Sequence, residues 1–104
     1  LDAIAHHAVA LANGAAIATG RVFDESPGVA RIGRMAVDRG WRRRGVGGRV
    51  LAYLEDRARA EGCREAVLHA QRYVEAFYAR HGYRPEGDPF DEAGIEHITM
   101  RKKL

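Results

Sequence analysis

The run Arg42-Arg43-Arg44-Gly45-Val46-Gly47-Gly48 stands between a strand-like stretch and a helix-like stretch, and it limits the fold more than any other feature of the chain. Glycine at a helix start permits turn conformations and close backbone approach that a side chain would block. The first N–H groups of the following helix have no partner within it and can meet an anion. The helix dipole and the arginines favour the same negative charge. The run therefore reads as a grip for a pyrophosphate at a strand-to-helix junction. Two better-known phosphate loops do not fit. No Lys-Ser or Lys-Thr pair occurs, so there is no P-loop. Val50 stands three residues beyond Gly47, so the Gly-x-Gly-x-x-Gly dinucleotide fingerprint fails on spacing. What remains is Arg-x-x-Gly-x-Gly, from Arg42, Gly45 and Gly47. Its bland alternative is a basic helix start on a solvated surface.

The flanks sharpen the placement. Val29 to Val37 mixes apolar and basic residues as a strand does, with Gly33 as a candidate bulge. Asp38-Arg39-Gly40 makes a turn. Val46, Val50, Leu51, Leu54 and Ala58 form the apolar stripe of a helix packed on a sheet, with Glu55 and Arg59 paired on its outer side and Gly62 as its stop. Glu65 to Gln71 reads as a short strand, which completes a βαβ unit. Upstream, a strand over Ala5 to Leu11 meets Asn13-Gly14, a hairpin signal. A second strand, Ala15 to Phe23, follows, and Asp24 to Gly28 forms another turn. Downstream, Pro85, Gly87 and Pro89 mark a loop between strands, and a hairpin closes at His97 to Arg101. The expected fold is α+β: a mixed sheet made of an antiparallel meander, the βαβ unit, a short helix and a C-terminal hairpin.

A length of 104 residues allows one domain with a modest core. No apolar run approaches the roughly 20 residues that span a bilayer, and the start lacks a secretory pattern, so the expected setting is cytoplasmic, without membrane partners. The single cysteine, Cys63, excludes an intramolecular disulfide, fits a reducing interior and is expected to pack as a small apolar side chain. The formal charge of +3 raises nucleic acid as a partner. The cations, however, concentrate at Arg39 to Arg49, where a phosphorylated ligand already accounts for them. Only Trp41 supplies an aromatic there, so no nucleic acid is expected. His6 and His7 cannot face one side of a strand, and no ligand spacing for a metal is present.

The Arg42–Gly48 loop resembles the acyl-CoA pyrophosphate loop of the GNAT superfamily of N-acetyltransferases. Val37-Asp38 and Trp41-Arg42 match that family's lead-in. Phe77-Tyr78 and Gly82-Tyr83 match its short helix and the following turn in place and spacing. Phe90 to Met100, together with His69-Ala70-Gln71, is similar to the ElaA-like branch. The likeness covers roughly residues 5–104. The chain departs from the pattern at Gln71, where many members have Asn, and at Val74, where many have Ala. The family's fold also begins with a strand and one or two helices not found here. Residues 1–104 are therefore expected to be one GNAT domain lacking those first elements.

The resemblance implies acetyl-CoA as cosubstrate and an amine acceptor, acetylated directly in a ternary complex without a covalent enzyme intermediate. It implies that the backbone of Met35, Ala36 and Val37 pairs with the pantetheine amides. Arg42, Arg43, Arg44, Gly45, Val46, Gly47 and Gly48 would take the pyrophosphate, and Gln71 and Tyr78 would complete the cofactor contacts. The Val37 N–H would serve as oxyanion donor, and Tyr78 as acid for the leaving thiolate; the alternative for Tyr78 is plain packing beside Phe77. His69 is the candidate base, because it lies near the end of a βαβ strand and histidine as a residue type can accept a proton near neutral pH; the alternative is a strand histidine bonded to backbone. His97 resembles a pocket-facing histidine of the ElaA-like ending and is the candidate acceptor contact. Glu25 and Glu92 read as surface carboxylates. The competing function is a non-catalytic CoA-binding or regulatory module. A second copy could cover the edge that an incomplete sheet leaves.

Overall fold

The computed structural model describes residues 6–104. In chain order they form β1 (His6–Ala12), β2 (Ala15–Ser26), β3 (Val29–Val37), a 3₁₀ turn (Arg39–Trp41), α1 (Val46–Ala60) and β4 (Glu65–Gln71). A second 3₁₀ turn (Arg72–Val74), α2 (Glu75–Arg80), β5 (Arg84–Glu92) and β6 (Ile95–Lys103) complete them. The six strands lie in the order β1-β2-β3-β4-β6-β5. Among the described residues only β3 and β4 pair in parallel, as the βαβ unit requires. The meander, the βαβ unit, the short helix and the closing hairpin are all present. Of the expected first strand, Ala5 lies outside the described residues. Asn13 and Gly14 turn the first hairpin with φ of 52° and 81°, the left-handed pair that such a turn needs.

The core sits between α1 and one face of the sheet. Val50, Leu51, Leu54 and Ala58 are buried in one cluster with Ala8, Ala18, Val22 and Ile32. Fully burying each large aliphatic contributes about 1.5–3 kcal/mol. Gly20 sets the distance between β2 and α1. A Cβ there would lie 2.7 Å from the Met35 Sδ and 2.8 Å from the Leu54 Cδ1.

Two expectations are corrected. Glu55 does not face outward beside Arg59. It is 5% exposed, accepts the Tyr83 hydroxyl at 2.8 Å and takes Lys102 Nζ at 3.0 Å. Arg59 pairs with Asp56 instead, at 2.9 Å. The physical reason is that Glu55 borders the buried stripe at Leu51 and Leu54, where β6 brings a cation to it. Burial and the Glu55 charge push the Tyr83 hydroxyl up, so it stays a donor. Second, Pro85, Gly87 and Pro89 do not form a loop. They lie inside β5, whose pairing with β6 is irregular between Glu86 and Phe90. As a sheet edge, β5 tolerates prolines that a central strand would not. The bulge expected at Gly33 is present in β3. Thr19 faces Ala36 and Arg21 faces Gly33, so β3 spends one residue more than β2 there, and Arg34 takes φ 55°.

That bulge helps to open the sheet. The β3–β4 ladder holds only Val29–Arg31 against Glu65–Val67, yet both strands continue, to Val37 and to Gln71. β4 stays bonded to β6 along its whole length. The two parallel strands therefore diverge, with their facing backbone edges unpaired.

Candidate active site

A cleft of about 1270 Å³ occupies the divergence. One wall is the start of α1. Gly45 caps the helix with φ 79°, and Arg43 takes φ 64° just before it. The first helical bond runs from the Arg49 N–H to the Gly45 carbonyl at 3.1 Å. The N–H groups of Val46, Gly47 and Gly48 are thus left without helical partners. Gly47 and Gly48 also admit their neighbours. A Cβ on Gly47 would lie 3.3 Å from both Phe77 and Val37, and one on Gly48 would lie 2.7 Å from the His81 Nε2. Arg42, Arg43, Gly45, Gly47 and Gly48 line the cleft; Arg44 and Val46 do not. The Arg44 guanidinium stacks over the Trp41 ring at 4.9 Å, and the Val46 side chain packs on the core. Of Val46 only the N–H remains a candidate contact.

Met35, Ala36 and Val37 form the second wall. The Asp38 N–H bonds the Ile17 carbonyl at 2.7 Å, so Ala18 and Val37 form the next pair, a non-hydrogen-bonded one. The Val37 N–H and carbonyl therefore turn away from β2, towards the unpaired side of β3. The carbonyl accepts the Arg42 Nε at 3.1 Å.

Tyr78 reaches the cleft from α2. It is 8% exposed, and its ring meets Phe77 and Tyr83 edge-on, at 5.0 and 5.9 Å. Burial pushes its hydroxyl up to about 12. At neutral pH it is therefore a proton donor, the state an acid for a thiolate needs.

The third wall is assembled from β3, β4, β5 and β6. The His69 Nδ1 lies 2.8 Å from an Arg31 nitrogen and 3.0 Å from the Glu92 Oε1. It can accept from Arg31 or donate to Glu92, and only the second leaves the Nε2 able to take a proton. The His97 Nδ1 donates to its own strand, to the Ile95 carbonyl at 2.7 Å. The neutral ring then presents an acceptor Nε2, 4.0 Å from the Glu92 Oε2. Phe90 packs edge-on against His69 at 4.9 Å and stacks with His97 at 6.0 Å. The hydrogen bond from His69 is the largest influence holding the Glu92 carboxyl below the usual range; partial desolvation opposes it, and the charges of His69, His97 and Arg31 add to it.

The cleft thus gathers Met35, Ala36, Val37, Arg42, Arg43, Gly45, Gly47, Gly48, His69, Gln71, Tyr78 and His97. Glu92 is exposed, as expected, but it also lines the cleft beside His69, a contact that sequence reasoning missed, as it missed Arg21 and Arg31. Ala93-Gly94, with φ of 54° and 78°, was the available signal: a tight turn there folds Glu92 back towards His97.

The sequence profile of the acetyltransferase (GNAT) domain matches residues 2–104. The chain belongs to the GNAT acetyltransferase family. A UPF0039 protein of Schizosaccharomyces pombe is 32% identical over 95 residues, which cover 89% of this chain and 63% of that protein. The chain therefore spans less than two thirds of that relative's length. The crystal structure of an acyl-CoA N-acyltransferase from Pseudomonas aeruginosa superposes with a TM-score of 0.82 at 28% identity, over 94% of this chain and 68% of that one. Escherichia coli ElaA shares the fold, with a TM-score of 0.83 at 23% identity over 94% of this chain and 68% of its own.

Proposed function

We propose that the protein is an acetyl-CoA-dependent N-acetyltransferase that moves an acetyl group directly to a primary amine of a small molecule or peptide, within a ternary complex. The observation that carries this reading is the diverging β3–β4 pair, which aims the Val37 N–H, the helix-start amides and a protonated Tyr78 into one cleft. The residues present fit an acyl-CoA: a glycine cradle with unpartnered amides and adjacent arginines for its pyrophosphate, and an unpaired strand edge for its pantetheine amides. Bound there, it supplies the activated acyl carbonyl. Met35, Ala36 and Val37 orient it along the β3 edge, with Gln71 across the gap.

The chain's own groups meet the remaining needs. The Val37 N–H donates to the oxyanion that forms when the amine attacks. The Tyr78 hydroxyl gives the leaving thiolate its proton or a hydrogen bond. His69, with its Nδ1–H held by Glu92, takes the amine's proton at Nε2. His97 contacts the acceptor. The setting we assign is cytoplasmic. The domain would be the main part of a GNAT domain whose first strand and helices lie outside residues 1–104. The exposed Val9 and Leu11 on the β1 edge would support a homodimer.

Release of free CoA thiol from acetyl-CoA, measured with and without a panel of primary amines, tests the proposal. Amine-dependent release that falls in Tyr78→Phe supports it. Binding of acetyl-CoA with no release for any amine would favour the non-catalytic module.

A further inference from the structure

We infer that the acceptor end of the cleft holds an anion subsite built on Arg21 with Arg34, so that the acceptor is an amine that also carries a carboxylate or phosphate. This rests on the transfer reading for the amine, but the anion subsite can be tested without it.

Strand alternation sets Arg21 apart from the phosphate loop. Gly20 and Val22 point into the α1 side of β2, against Leu54 and the core. Arg21 between them therefore faces the opposite side of the sheet. The loop and the start of α1 belong to the first side. An anion held by Arg21 is thus not the one held by the helix-start amides.

The local chemistry on that side is unbalanced. Glu25 is committed to Arg31 at 3.0 Å, and Glu92 to His69 at 3.0 Å. Arg21 and Arg34 line the cleft and make no ion pair among the described residues. The Arg21 guanidinium is held over the Phe23 ring, 5.0 Å from its centroid. Its Nε is shielded from solvent and has no hydrogen-bond partner in the fold. A shielded donor without an acceptor is costly, and a carboxylate or phosphate oxygen would satisfy it. Space is present for one: Arg21 faces Gly33, and a Cβ on Gly33 would meet nothing within 4 Å. Only the second carboxylate oxygen of Glu92, the Oε2 that lies 4.0 Å from the His97 Nε2, is left to suit the ammonium end of the same molecule. Planar guanidinium binds both oxyanions in a forked geometry, so the shared chemistry is an anionic amine.

The test compares two matched pairs of amines with the full chain: β-alanine against propylamine, and O-phosphoethanolamine against ethanolamine. Acetyl transfer is measured for each in wild type and in Arg21→Gln. The anionic member should show a kcat/KM about tenfold higher, the worth of one charge-assisted contact. That gap should close in the variant while the KM for acetyl-CoA stays unchanged. The pair with the larger gap tells carboxylate from phosphate. Equal kcat/KM within both pairs, or an equal fall for both members in the variant, would overturn the subsite. If no amine is acetylated, the transfer reading fails, and calorimetric titration of the same amines into CoA-saturated protein decides the subsite. There, about tenfold tighter binding of an anionic member, lost in Arg21→Gln, upholds it; equal affinities overturn it. Should Arg21→Gln not fold, Arg34→Gln carries the same comparison.

Discussion

The two ends of the cleft are built differently. The phosphate end is continuous: Arg42 to Gly48 supply its cations, its unpartnered amides and its glycine conformations from one short run. The acceptor end is assembled from β2, β3, β4, β5 and β6, and Arg31, His69, Glu92 and His97 meet there only through strand register. The first end works through backbone groups, which a local motif can specify. The second works through side chains, whose company depends on pairings between distant residues.

Outside the cleft, the buried cluster of Glu55 on α1, Tyr83 after α2 and Lys102 on β6 ties the helix to the sheet. Removing one partner strands a buried charge, so Lys102→Met should cost about 3–5 kcal/mol in chemical denaturation. A loss below 1 kcal/mol would mean that this cluster does not hold α1 to the sheet. Next in size, Tyr78→Phe should lower kcat about 100-fold while the affinity for acetyl-CoA is kept. An unchanged kcat would reduce Tyr78 to a packing residue. Gly20→Ala would press a methyl against Met35 and Leu54. It should cost about 1–3 kcal/mol, and a neutral result would show that α1 does not depend on this close approach.

Glu92→Gln is expected to lower kcat/KM for the acceptor about tenfold by freeing the His69 ring, with acetyl-CoA binding unaltered. If it weakened acetyl-CoA instead, the two ends would not be separate in function. The smallest effect is on pH dependence. Tyr78 has a folded value raised to about 12. It therefore contributes stability that is present below the ordinary tyrosine value of about 10 and is lost as pH climbs through the folded one. Absorbance titration of wild type against Tyr78→Phe should show the variant missing a tyrosine ionisation near pH 12.

The same contrast explains what the sequence disclosed. Hydrophobic stripes and turn residues were enough to place β1 to β4 and α1 in order, because α1's Val50, Leu51 and Leu54 and the Asn13-Gly14 turn carry local signals. Local signals misled where tertiary context overrode them. Pro85 and Pro89 looked like loop residues because an edge strand's tolerance for proline is not visible locally. Glu55 looked solvated because its cation, Lys102, lies 47 residues away. Arg44 belongs to the basic run, yet its guanidinium stacks on Trp41, a contact that the run itself does not reveal. The role of Glu92 was illegible because it exists only once β4, β5 and β6 are in register.

The central claim is that the arginine–glycine loop holds the pyrophosphate of acetyl-CoA. Thermal unfolding with and without acetyl-CoA, in wild type and in the double variant Arg42→Ala/Arg43→Ala, tests it most directly. At about 100 times its dissociation constant the ligand should add roughly 2.7 kcal/mol to wild type, and the variant should lose most of that gain at the same ligand concentration. No ligand-induced stabilisation of wild type, or the same stabilisation in the variant, would contradict it.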